Sequence, residues 1–113
     1  LLCDWEPDVI RRWFDDTDLS TSGERPRVRT VDELVNELAL VRRRGYALVR
    51  EEFEVGVVGC SAPVRDVRGR IIAAMNVSAP SPRLGDRLDQ AGQLTARCAS
   101  DISRALQQED TKR

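Results

Sequence analysis

The 113-residue chain contains no histidine, and aromatic residues make up only 4% of it. Histidine is the commonest general base near neutral pH, a member of the usual Ser and Cys triads, and a frequent zinc ligand. Its absence weighs against a hydrolase and against most zinc sites. The sequence also offers no paired acids on a regular element and no phosphate-binding loop. We therefore expect no enzyme activity, no metal and no cofactor.

The chain also lacks a large net charge, a long apolar run and a cysteine spacing typical of disulfides or metal sites. Its formal net charge is −1, so this chain alone is not expected to bind nucleic acid. No apolar run approaches the roughly 20 residues of a membrane helix, and no signal peptide is visible. The cysteines Cys3, Cys60 and Cys98 match neither a disulfide framework nor a metal site. These features favour a cytoplasmic protein.

The clearest local pattern predicts a helix over residues 31–44. Thr30 and Glu33 have the spacing of a capping box, and Gly45 suits a left-handed helix end. Three arginines, 42–44, lie where cations meet the negative end of the helix dipole. The apolar positions recur at helical spacing: Val31, Leu34, Val35, Leu38 and Val41.

Two further helices are predicted at the ends of the chain. The first begins after Asp4 as N-cap, and its packing face is expected to comprise Val9, Ile10, Trp13 and Phe14. The second starts near Asp86 and runs to Gln108, with a frayed tail after it. Its apolar spacing suggests that Cys98 lies in the core. Its apolar positions are Leu88, Ala91, Leu94, Thr95, Cys98, Ile102, Ala105 and Leu106.

Three strands are predicted between these helices, over residues 46–50, 57–66 and 70–78. An acidic loop, residues 51–56, joins the first two, and a turn ending at Gly69 joins the second and third. Cys60 is expected to be a small core residue. A three-stranded sheet buries only a marginal core. This suggests either a tight oligomer or a fragment of a longer protein.

The third strand places two polar residues, Asn76 and Ser78, on one face with Ala74. Met75 and Val77 point to the other face. If the strand is buried, as its apolar composition suggests, these polar groups need a hydrogen-bond partner. That partner could be neighbouring backbone, water or a ligand, and the residues alone leave the choice open.

Several short motifs follow one another between Arg29 and Leu106. They are Gly45-Tyr46-Ala47, the acidic pair Glu51-Glu52 with Gly56, Ala62-Pro63-Val64-Arg65-Asp66, Gly69, and Asn76-Val77-Ser78. Their order and spacing resemble the C-terminal effector-binding domain of IclR-type bacterial transcriptional regulators. The ending at Asn76 to Ser78 and the Ala-Leu after Tyr46 are most similar to the subgroup that regulates β-ketoadipate and other aromatic-acid pathways.

This resemblance implies an α+β, GAF-like domain: an antiparallel sheet flanked by helices, with a ligand cavity on one sheet face. Residues 1–113 would be a partial effector-binding domain that binds a small organic acid, aromatic in this subgroup. The family's winged helix-turn-helix domain, which binds DNA as a homodimer or homotetramer, is absent from this chain. The resemblance implies no membrane partner. An oligomerisation module without a ligand is the alternative.

Carried over motif by motif, the resemblance implies five ligand-binding positions: Val49, Val57, Gly59, Asn76 and Ser78. Asn76 and Ser78 would donate hydrogen bonds to an anionic or hydroxylated ligand. Val49 stands where the glyoxylate-type pattern has an acid, and Gly59 where it has a cysteine. A larger, more apolar pocket follows, which suits an aromatic acid better than a two-carbon acid.

Overall fold

The computed structural model describes residues 2–15, 17–21, 23, 26–52 and 54–111. Within them a three-stranded antiparallel sheet lies against helices, so the predicted α+β class is confirmed. No helix of the described residues is both long and apolar enough to cross a membrane. The elements are α1 (Pro7–Trp13), α2 (Val31–Arg44), β1 (Ala47–Arg50), β2 (Val57–Arg65), β3 (Ile71–Pro80), α3 (Ser81–Leu84) and α4 (Leu88–Thr111).

Helix α2 has the predicted bounds because local chemistry determines both of its ends. The Thr30 hydroxyl accepts a hydrogen bond from the Glu33 backbone N–H at 3.1 Å. Gly45 ends the helix at φ 89°, a left-handed conformation that costs glycine little. Two arginines of its last turn also make hydrogen bonds to backbone carbonyls outside the helix. Arg42 donates to the Cys3 carbonyl, and Arg44 donates to the Tyr46 carbonyl, each at 2.7 Å.

The sheet has β2 at its centre, and alternate β2 residues form the main core. Their side chains point towards α4, which packs chiefly on β2. Cys60 is among them, as predicted, and its sulfur lies 3.3 Å from the Thr95 hydroxyl of α4. The buried residues of this strand are Val58, Cys60, Ala62 and Val64.

Helix α4 presents small residues to the sheet, and this differs from the prediction. Its fully covered face includes Gly92, Thr95, Ala99 and Ser103, whereas Cys98 is exposed. The prediction that Cys98 lies in the core is wrong because small side chains let the helix approach the strands closely on a different face. Of the other residues of the predicted stripe, Leu88 and Thr95 are buried as predicted, whereas the large residues Leu94, Ile102 and Leu106 are exposed.

The ends of α4 also differ from the prediction. A short 3-10 turn, Gly85–Arg87, precedes the helix, which begins at Leu88. The helix continues through Thr111, so the predicted frayed tail is wrong for residues 109–111. Residues 112 and 113 lie outside the described residues.

The N-terminal helix begins later and packs less than predicted. Helix α1 starts at Pro7, so Asp4 is not its N-cap. Asp4 instead accepts hydrogen bonds from Arg65, and these hold the pKa of Asp4 below its ordinary value. Only Ile10 of the expected packing face is buried, and Trp13 is 70% exposed.

Replacing Gly92 by Ala should destabilise the protein, although Ala stabilises a helix by about 1 kcal/mol relative to Gly. A Cβ atom at Gly92 would lie 2.5 Å from Cδ2 of Tyr46, so the ring or the helix must move. Overpacking of this kind costs about 1–3 kcal/mol. We expect a net decrease in the free energy of unfolding in urea denaturation.

Ser100→Ala is the matched control, because Ser100 is an exposed residue of the same helix. It should leave stability unchanged or raise it by a few tenths of a kcal/mol, roughly the difference in helix propensity. A Gly92→Ala protein more stable than the wild type would contradict close packing of α4 on Tyr46.

Candidate functional site

The face of the sheet that points away from α4 carries a hollow of about 280 Å³. This volume is just below the usual range for small-molecule sites, roughly 300–1,000 Å³. All five positions predicted for ligand binding line it. The residues that line the hollow through this face or its rim are Ala47, Val49, Glu54, Val57, Gly59, Ser61, Asn76 and Ser78.

The register of the three strands brings these residues together. Val49 of β1 lies opposite Gly59 of β2, which in turn lies opposite Ser78 of β3. Residues directly opposite one another share a sheet face, so these three form a row across the hollow. Ser61 and Asn76 oppose each other in the next row.

Gly59 leaves the middle of this row without a side chain. A Cβ atom there would lie 3.0 Å from the Val77 carbonyl oxygen and 3.3 Å from Oγ of Ser78. A larger residue would therefore crowd the Ser78 hydroxyl and raise the floor of the hollow. With glycine, the floor is bare backbone between the Val49 and Ser78 side chains.

The loop between β1 and β2 forms the rim, and Glu51 holds it in shape. The Glu51 N–H donates to the Val57 carbonyl at 3.0 Å, and its carboxylate accepts from the Gly56 N–H at 2.8 Å. Glu51 adopts φ 58° and Gly56 φ 86°, so the loop makes a tight reversal. Val57 and Glu54, which belong to this reversal, line the hollow. Residue 53 of the predicted loop lies outside the described residues.

The hairpin between β2 and β3 fixes the position of Ser78 along the sheet. The Asp66 carboxylate accepts hydrogen bonds from the backbone N–H groups of Arg68 and Arg70, each at 2.9 Å. These bonds, above all the one from Arg70, lower the pKa of Asp66. Gly69 completes the turn at φ 79°. A carboxylate-stabilised turn therefore determines the pairing of the strands that carry the hollow.

The polar pair of β3 is exposed rather than buried, and this corrects the sequence analysis. Asn76 and Ser78 face the hollow as the alternation predicts, but β3 is an edge strand and none of its residues is buried. Within the described part of the chain, neither side chain makes a hydrogen bond to protein. Their amide and hydroxyl groups are open to water or a ligand in the hollow.

Sequence reasoning missed three residues that line the hollow from this face or its rim: Ala47, Glu54 and Ser61. It also missed three whose side chains point to the helix layer but which still border the hollow: Val58, Cys60 and Val77. Ala47 and Ser61 follow the same alternation as Val49 and Gly59, so strand period could have identified them. Glu54 is on the loop, where no periodicity applies. It is the one charged side chain among the lining residues of the described chain.

The lining is suited to binding rather than to reaction. It supplies a side-chain amide, two hydroxyls and apolar walls, with a single carboxylate at the rim. A general acid–base pair needs two titratable groups within reach of a substrate. Among the described residues there is also no group of three metal-binding side chains.

Comparison with protein families decides the assignment. The family described as "Bacterial transcriptional regulator IclR C-terminal" matches residues 2–104. The chain belongs to this family. The family consists of transcriptional regulators rather than enzymes, and the chain is a partial effector-binding domain of IclR type.

Individual relatives are similar over part of their length. The HTH-type transcriptional repressor AllR of Escherichia coli K12 is 38% identical over 74 residues, or 65% of this chain and 27% of AllR. The chain thus spans about a quarter of the curated relatives it matches. AllR similarity does not confirm the predicted aromatic-acid subgroup.

Two solved domains share the fold closely. The C-terminal domain of E. coli KdgR has a TM-score of 0.76 and 27% identity, over 94% of this chain and 65% of that domain. The inducer-binding domain of Acinetobacter PobR, solved as a double mutant with 3-hydroxybenzoic acid, has a TM-score of 0.71 and 25% identity. That match covers 91% of this chain and 61% of the PobR chain.

Replacing both Asn76 by Ala and Ser78 by Val should leave stability within about 0.5 kcal/mol, because both side chains are exposed and make no protein hydrogen bond. Urea denaturation measures this directly. A loss of 2 kcal/mol or more, on the order of a lost buried hydrogen bond, would show that the pair has a structural role.

Proposed function

We propose that the chain is the ligand-sensing part of a cytoplasmic transcriptional regulator and that its effector binds in the hollow. The supporting observation is the row Val49, Gly59 and Ser78 with Asn76 beside it. With Val57 of β2, all five predicted positions thus come from three strands and line one open volume. Polar groups with no protein partner at the edge of an apolar hollow are typical of small-molecule sites.

We propose a small organic acid with an aromatic ring as the effector. Val49 and Val57 offer apolar walls, and the bare backbone at Gly59 offers a flat floor. The Asn76 amide and the Ser78 hydroxyl can donate hydrogen bonds to a carboxylate or a phenol oxygen. The similarity to PobR, whose domain was solved with 3-hydroxybenzoic acid, supports this class.

Effector binding would control DNA binding through a population shift. A ligand changes an equilibrium only if it binds one arrangement better than another. The DNA-binding step would belong to a winged helix-turn-helix domain outside these 113 residues, in a homodimer or homotetramer. The name of AllR, an HTH-type repressor, supports a regulator of this kind.

A second candidate function is an oligomerisation module without a ligand. The observation that favours it is the exposure of large apolar side chains, above all Trp13 and Leu94, at 70% and 59%. Exposed apolar surface of this kind marks interaction sites. This candidate predicts a stable oligomer whose NMR spectrum does not respond to any small acid.

The ligand proposal predicts a localised response to 3-hydroxybenzoate. In an NMR chemical-shift titration of the ¹⁵N-labelled chain, we expect the largest shifts at the amides of Val49, Gly59 and Ser78. The combined Asn76→Ala and Ser78→Val change should weaken binding at least about tenfold, the equivalent of one lost hydrogen bond of about 1.4 kcal/mol.

Ser100→Ala serves as the control, since Ser100 is exposed on α4, on the opposite side of the sheet. Its affinity should equal that of the wild type. Shifts spread evenly over the surface, or equal affinity of the double variant, would contradict binding in the hollow.

Glu54 should oppose the binding of an acid, because its side chain is negatively charged and the residue lines the hollow. Like charges near a binding site repel, and salt screens this effect. We expect Glu54→Gln to strengthen binding of 3-hydroxybenzoate by a few-fold at low ionic strength, and less at high salt. Weaker binding by this variant would show that the effector instead donates a hydrogen bond to Glu54.

A further inference from the structure

A second cavity, of about 330 Å³, lies on the opposite face of β1 from the hollow, between the end of α2 and the start of α4. Side chains alternate along β1, so Leu48 and Arg50 face this cavity while Val49 faces the hollow. Apart from Leu48, every lining side chain is charged. We call this cavity the arginine pocket, and its lining residues are Arg27, Arg44, Leu48, Arg50, Glu52 and Asp89.

Contacts with Tyr46 hold Arg44 in one orientation beside the pocket. Its Nε donates a hydrogen bond to the Tyr46 carbonyl at 2.7 Å, and its guanidinium carbon lies 5.1 Å from the centre of the Tyr46 ring. Only 23% of the Arg44 side chain is exposed. A guanidinium group fixed in this way loses little conformational entropy when it binds a ligand.

One terminal nitrogen of Arg44, Nη2, is buried and makes no hydrogen bond within the described part of the chain. It lies 3.5 Å from Oε1 of Glu37, which is an ion-pair distance without hydrogen-bond geometry. The same oxygen lies closer, at 2.8 Å, to Nη2 of Arg27. Buried donors in proteins nearly always have a partner, which is a protein group, water or an ion. Arg44 therefore has a donor whose partner is missing.

Arg50 and Arg27 bring further guanidinium groups to the pocket from two other segments. Nη1 of Arg50 donates to the Gly85 carbonyl at 3.2 Å, and its Nη2 lies 3.6 Å from Asp89. Arg27, on the loop before α2, lies 3.7 Å from Glu52. Close charge-assisted hydrogen bonds measure roughly 2.7–2.9 Å. The pairs across the pocket are therefore loose, and a better acceptor can compete for these arginines.

The charges of the lining favour an anion. Three lining side chains are guanidinium groups and two are carboxylates, so the lining has one positive charge in excess. Glu37, outside the lining, pairs most closely with Arg27, which leaves Arg44 and Arg50 as the cations available to a ligand. Asp89 is 64% exposed, so water screens its charge. Guanidinium groups bind carboxylates and phosphates through paired hydrogen bonds.

We propose that the arginine pocket binds a small oxyanion, a carboxylate or a phosphate group, through Arg44 and Arg50. Nη2 of Arg44 would donate to one oxygen and Arg50 to another, with Leu48 as the apolar floor. The anion would supply the partner that the buried Arg44 donor lacks. This site lies on the other side of β1 from the hollow, and the proposal does not depend on the effector site.

Phosphate and acetate are the probes, because they carry the two kinds of oxyanion on very small molecules. Each would be titrated in place of chloride, at constant ionic strength, into the ¹⁵N-labelled chain. We expect saturable NMR shifts at the amides of Arg44, Arg50 and Asp89. A dissociation constant of about 1 mM is within the limit for ligands of so few atoms. Saturation by one probe alone would support the site and identify its oxyanion.

Arginine variants separate a specific site from general attraction to positive charge. Arg44→Lys keeps the charge but loses the planar fork of donors, so it should weaken binding at least about tenfold. Arg50→Gln should weaken binding at least about threefold, a smaller effect because Arg50 is half-exposed. Arg43→Gln is the matched control, since Arg43 is an exposed arginine of the same last turn of α2 outside the lining. It should bind as the wild type does.

Three results would overturn the proposal: no saturation with either anion, equal weakening by Arg43→Gln and Arg50→Gln, or shifts centred on Gly59 and Ser78 of the hollow. The combined Asn76→Ala and Ser78→Val change should leave phosphate binding unaltered, which separates this site from the effector site. Urea denaturation identifies any variant that fails to fold. If Arg44→Lys fails, Arg50→Gln still tests the site at a half-exposed position.

Discussion

The antiparallel register of β2 between its two neighbours is the constraint on which the rest of the structure depends. Because strand side chains alternate, this register sends Val58 and Cys60 to the helix layer and Gly59 to the opposite face. A shift by one residue would exchange the two sets and expose the core. The loop held by Glu51 and the turn held by Asp66 fix this register from either end of β2.

Features determined by local chemistry could be predicted from the sequence. Helix α2 has its predicted bounds because Thr30 and Gly45 act within one turn of the helix ends. Asn76 and Ser78 share one face of β3 because side chains alternate along a strand, and this can be read from the sequence. The five predicted positions come together for the same reason, once antiparallel pairing of consecutive strands is assumed.

Features determined by distant contacts could not be predicted. The composition of β3 is that of a buried strand, yet β3 is an edge, and only the order of the sheet reveals this. The sequence pattern of α4 favours all of its large residues as core, yet beyond Leu88 they are exposed. Close approach to Tyr46 instead selects the face of Gly92, whose lack of a side chain is essential there. Asp4 likewise pairs with Arg65, 61 residues away.

The hollow lies on the face of the sheet opposite to α4, and its lining combines apolar walls with polar groups. A crystal structure of the chain soaked with 3-hydroxybenzoate tests the central claim most directly. The account predicts the aromatic ring over Gly59, with a carboxylate or phenol oxygen within hydrogen-bond distance of Ser78 Oγ. An empty hollow with the compound bound elsewhere would contradict it.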